Sequence, residues 1–86
     1  MSSHKYLDPA YSILLAFGDG KLSRGIDVLA EICSRDRASV YRWMLPKERN
    51  GRGGFLPSRA QAELWEYSKS NKVPKVVEDL FRARAA

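Results

Sequence analysis

Apolar residues recur at helical intervals in five stretches of this 86-residue chain, and a proline, glycine or small polar residue stands at each border. Asp8-Pro9 offers an N-cap with proline in the first helical position. Tyr11, Leu14 and Leu15 then share a face until Gly18-Asp19-Gly20, which predicts a first helix over Pro9–Phe17. Ser23 is the predicted cap of a second helix ending near Ser34, with Ile26, Leu29, Ala30 and Cys33 as its buried stripe. Asp36 opens a short third helix, residues 36–45, on which Val40, Trp43 and Met44 form the apolar edge before Pro46 stops it. Lys47 to Gly54 holds no apolar side chain; beyond it, Ser58 and Gln61 have capping-box spacing and open a fourth helix reaching Ser70. Asn71-Lys72-Val73-Pro74 breaks the chain again. Val73, Val76, Val77, Leu80 and Phe81 repeat at helical spacing in a fifth helix within 71–86, which ends on Arg82 and Arg84. The expected fold is all-α: five short helices in a single domain over 1–86, with 1–7 as a flexible tail and 46–56 as a small wing or flexible loop.

The second and third helices are separated by one or two residues around Ser34-Arg35, the short turn of a helix-turn-helix unit. Ala30 is small where the two helices cross, Leu29 and Cys33 face the core, and Val40 and Trp43 close the seam from the third helix. Charge singles out the same region. The chain carries 15 Lys+Arg against 10 Asp+Glu, a net +5. Residues 21–59 hold nine basic and four acidic side chains, a surplus of five, while the two ends nearly cancel. Such a surplus implies an acidic partner. A basic middle broken by turns lacks the continuous amphipathic face of a membrane-surface helix, the apolar run Ile13–Phe17 is too short to cross a bilayer, and Met1–Pro9 has no signal-peptide core. Nucleic acid is the favoured partner. One cysteine, unable to form an internal disulfide, fits a reducing, cytoplasmic and nucleoid-associated setting.

The stretch IDVLAEICSRDRASVYRWM, Ile26 to Met44, resembles the helix-turn-helix of small Cro-like and repressor-like regulators of phages and bacteria. Leu56-Pro57-Ser58-Arg59 after Trp43 is similar to a W…P-S-R pattern in small phage-borne regulators. The resemblance implies a lambda-repressor-like core and a phage or prophage transcription regulator that binds double-stranded DNA with its third helix in the major groove. The family's turn usually holds glycine where this chain has Ser34, and an apolar residue where it has Arg35. A serine in a left-handed turn costs about 1 kcal/mol relative to glycine. Arg35 either rebuilds the turn or points outward toward phosphate.

Stepping 100° per residue from a buried Val40 places Ala38 and Arg42 opposite it, with Ser39 and Tyr41 on the flanks and Arg37 near the helix start. Those five are the candidate base readers: Arg42 for guanine O6 and N7, Ala38 for a thymine methyl, Tyr41 or Ser39 for a phosphate or base edge. Lys21, Arg24, Arg35, Lys47, Arg49, Arg52 and Arg59 are the candidate phosphate ligands. Leu64, Trp65 and Tyr67 span a wide arc of the fourth helix. Either they form an interface or the first and fifth helices cover them. A homodimer, with the fifth helix as a dimerisation element, would set two recognition helices about 34–36 Å apart on a palindromic site. The alternative is a protein-binding helix-turn-helix adaptor, acting in a toxin system, on polymerase or in phage packaging.

Catalysis has little basis in the residues. His4 is the one histidine and lies in the expected tail, Cys33 reads as core, and Glu63/Glu66 and Glu78/Asp79 read as solvated helix faces. No cofactor, metal or small-molecule ligand is indicated. Gly51, Gly53 and Gly54 lack the GxxxxGK[ST] pattern of a phosphate-cradling loop.

Overall fold

The computed structural model describes residues 6–79, and all regular structure among them is helical. The elements are α1 (Ala10–Phe17), α2 (Leu22–Ile32), α3 (Arg37–Arg42), a 3-10 turn at Lys47–Arg49, and α4 (Ser58–Ser70). Residues 75–79 are also helical. The fifth helix thus starts after Pro74, beyond the predicted break at residues 71–74; Leu80, Phe81, Arg82 and Arg84 lie outside the described residues, as does His4.

One apolar cluster holds these elements together. It takes Ala10, Ile13 and Leu14 from α1, Ile26 and Leu29 from α2, Val40 from α3, Ala60 and Leu64 from α4, and Cys33, Trp43, Met44, Leu56, Val73 and Val77 from the connections and the last segment. α1 crosses α2 most closely at Gly25, where an added Cβ would overlap the Leu14 carbonyl. Here the narrow crossing is made by glycine. Ala30, predicted as the small residue where α2 and α3 cross, is half-buried.

Helix ends follow backbone geometry more than the expected caps. α1 ends as predicted, with Asp19 left-handed at φ 54°, its N–H donating to Ala16 and the Gly20 N–H reaching Leu15 O at 2.8 Å. Asp8 serves the opening of α1: its carboxylate accepts the Ser12 N–H at 3.0 Å and the Ser12 hydroxyl at 2.6 Å. Ser23 is not a cap, because α2 already begins at Leu22 with extended Lys21 before it. The capping box at Ser58 does not form either. Pro57 takes the cap position, and the Gln61 amide reaches back to donate to the Leu56 carbonyl at 2.8 Å.

The turn between α2 and α3 is residues 33–36, longer than one or two residues. The Ser34 N–H donates to Glu31 and the Arg35 N–H to Ala30 O at 2.9 Å, the paired bonds that close a helix through a left-handed residue. That residue is Ser34, at φ 53°. Ser34→Gly removes the left-handed penalty, less the entropy glycine adds to the unfolded chain, so it should stabilise by about 0.5–1 kcal/mol. Chemical denaturation checks it: a higher midpoint at unchanged slope is expected.

α3 is shorter than 36–45. Beyond Arg42 the chain tightens into i→i+3 bonds, from Trp43, Met44 and Leu45 N–H back to Val40, Tyr41 and Arg42, until Pro46 ends the run. The expected wing at 46–56 does not form, and no strand occurs among the described residues. Nor is the segment a free loop. Gly51, Arg52, Gly53 and Gly54 donate to Pro46, Arg42, Leu45 and Trp43 at 2.8–3.0 Å, so the loop folds back along the end of α3. Gly54, at φ 92°, also accepts the Ala10 N–H at 2.8 Å and has no room for a Cβ beside the Asp8 carbonyl. No described helix is long and apolar enough to cross a membrane.

Candidate nucleic-acid interface

Val40 is fully buried, and the residues around it take the positions its burial dictates: Arg37, Ala38 and Arg42 exposed, Ser39 and Tyr41 half-buried. Their side chains differ in freedom. Ser39 is engaged locally, its hydroxyl donating to the Asp36 carboxylate at 2.5 Å; that bond holds the Asp36 carboxyl below its ordinary value. Asp36 is the residue at the N-cap position of α3. Arg37 is ion-paired with Asp27 on α2. Tyr41 stands edge-on to Tyr6 with ring centroids 5.8 Å apart and hydroxyls 3.5 Å apart, and Tyr6 in turn lies 5.5 Å from the Tyr11 ring. The bond to Tyr41 and burial raise the Tyr6 phenol above its ordinary value, while Arg49 is close enough to oppose them.

Tyr6 was not among the expected site residues, since it fell in a predicted flexible tail. Instead Tyr6 packs on Tyr41, and the Leu7 N–H donates to Met44 O at 2.8 Å, which fastens this part of the tail to the end of α3. The signal was the aromatic-apolar pair Tyr6-Leu7 just ahead of Asp8-Pro9. Residues 1–5 of the tail lie outside the described residues.

The candidate phosphate ligands divide into groups. Arg52 joins Arg42 through the backbone bond of its N–H to the Arg42 carbonyl, Lys47 lies along Gly53 of the same loop, and Arg49 ends the 3-10 turn that opens that loop. The backbone therefore places Lys47, Arg49 and Arg52 in the loop that folds back along the C-terminal end of α3, where Arg42 stands. Lys21 and Arg24 are exposed at the start of α2. Arg35 is half-buried in the turn and near enough to Cys33 to act on its thiol. Arg59 belongs to a different setting. Its Nε lies 4.0 Å from Glu63 Oε2, and it lines an open groove of about 490 Å³ with Ile32, Ala62, Glu63, Glu66 and Tyr67. On α4, Leu64 is buried, Tyr67 half-buried and Trp65 exposed, with the Lys69 ammonium 5.9 Å from the Trp65 ring centre.

Cys33 is buried, its thiol directed at the Ala60 carbonyl. Burial, helped by the Glu63 charge and opposed by Arg35, pushes the thiol up to about 11 from 9.0. Between those values the unfolded chain loses its thiol proton first, so this group's contribution to stability is intact below pH 9 and lost as pH rises towards 11. Denaturation across that window should show a shallower decline for Cys33→Ala than for the parent. A maleimide at pH 7 should label the parent only once it unfolds.

No protein-family model, curated protein or solved structure matches the chain.

Proposed function

We propose that this chain is a sequence-specific double-stranded DNA-binding regulator of phage or prophage type, working on the nucleoid in the cytoplasm. α2 and α3 act as its helix-turn-helix, with α3 in the major groove. The observation that carries the reading is at one end of α3, where exposed Arg42, opposite buried Val40, is bonded through its backbone to a basic loop. A side chain on that face can reach base edges while Lys47, Arg49 and Arg52 meet the adjoining phosphates. A homodimer would place two such faces on successive major grooves.

Selection of genomic fragments by the purified protein tests the reading. Recovered fragments should share a palindrome whose half-sites are about one helical turn apart; fragments with no common motif would reject sequence-specific binding.

A second reading, the protein-docking adaptor, is favoured by Phe55 and Trp65, which are 59% and 47% exposed. It predicts salt-insensitive binding to a protein and no retention on DNA at low ionic strength.

A further inference from the structure

Building on the reading of α3 as the base-reading helix, we propose that Asp27 is a specificity-determining positioning residue. Its carboxylate restrains the Arg37 guanidinium before DNA arrives. Asp27 lies in α2, Arg37 is the first residue of α3, and their ion pair spans the turn that holds left-handed Ser34. Both side chains are more than half exposed, at 62% and 54%.

Stability does not account for the acid. An exposed pair of this kind contributes little to folding. A carboxylate beside a phosphate-binding face also weakens attraction to every sequence alike. What the carboxylate does supply is direction. The guanidinium is planar with five donors in a fixed fork, so tethering one Nη narrows the directions open to the remaining donors and removes some rotamer freedom in advance. An arginine prepared in this way loses less entropy on meeting guanine O6 and N7, and it tolerates a displaced acceptor poorly.

Loss of Asp27 therefore acts in opposite directions on two kinds of DNA. General attraction rises because a negative charge has gone, and discrimination falls because Arg37 is no longer held. Glu31 separates the two effects. It lies one turn further along the same face of α2, is exposed, and makes no ion pair among the described residues, so Glu31→Gln changes the charge equally without touching Arg37.

The experiment measures the affinity of the parent, Asp27→Asn, Asp27→Glu and Glu31→Gln for a selected duplex and a scrambled duplex at one salt concentration. Asp27→Asn should bind the scrambled duplex about two- to fourfold more tightly. Its selected-to-scrambled ratio should fall about two- to fivefold, the most that an exposed ion pair can contribute by holding the guanidinium in advance. Glu31→Gln should strengthen both duplexes equally and leave the ratio unchanged, and Asp27→Glu should restore most of the lost discrimination. An Asp27→Asn ratio equal to that of Glu31→Gln would overturn the inference while leaving the DNA reading in place. A parent that binds both duplexes alike would overturn that reading, and the role of Asp27 with it.

Discussion

Substituting alanine for Gly25 should cost the domain about 3 kcal/mol or more and lower its thermal midpoint by about 12 °C or more. Helix propensity alone argues for the opposite sign, since exchanging glycine for alanine inside a helix gains about 1 kcal/mol. Packing decides the matter. The added Cβ would overlap the Leu14 carbonyl, which belongs to the backbone of α1 and cannot rotate away as a side-chain tip could. Relief requires α1 and α2 to separate, which loosens Ile13, Leu14, Ile26 and Leu29 together. A domain of this length has a total stability of about 4–13 kcal/mol, so the loss removes a large share of it. Calorimetry on Gly25→Ala reads the sign directly, and a raised midpoint would mean that the two helices do not cross at this point.

The other large effect is expected on DNA. Arg42→Ala should lower the ratio of selected-site to scrambled-site affinity by about 5- to 150-fold, the equivalent of losing a bidentate contact worth about 1–3 kcal/mol. Arg52→Ala should weaken both duplexes by similar factors and flatten the dependence of log affinity on log salt by about one. The contrast follows from position. Arg42 is exposed on the face of α3 opposite Val40, whereas Arg52 lies in the loop that folds back along the end of that helix. Affinities of both variants for both duplexes at several salt concentrations check the pair of predictions. An unchanged ratio for Arg42→Ala would remove it from the base-reading set.

The sequence was most informative where apolar spacing and chain breakers agree. Leu14, Leu29 and Val40 announced the buried faces of three helices, and Gly18-Asp19-Gly20 and Pro46 announced stops, because side-chain periodicity and proline's missing N–H are local properties. Caps were less legible. Ser23 and Ser58 have the chemistry of a cap, yet the role depends on the backbone angles of one residue, which Lys21 and Pro57 adopt first. The loop after α3 looked free because it carries no apolar anchor. Its order comes from backbone bonds to residues 42–46, and these leave no trace in side-chain pattern.

Contacts at long sequence separation were the other loss. A helical wheel assigns Arg37 to an exposed position near the start of α3, but only the crossing of α2 and α3 brings Asp27 to it. Tyr6 reaches Tyr41 for a similar reason, since residues 6 and 7 lie against the end of α3. Gly25 was not singled out in the sequence, because the partner that demands a glycine there is the backbone of another helix.

The most direct test of the central claim is a salt-resolved titration of the parent protein against its selected duplex and a scrambled duplex of equal length. A sequence-specific DNA-binding regulator should prefer the selected duplex by at least about 10³-fold and lose affinity for both as salt rises. Equal affinity for the two duplexes, or no retention of either at about 50 mM salt, would contradict the account.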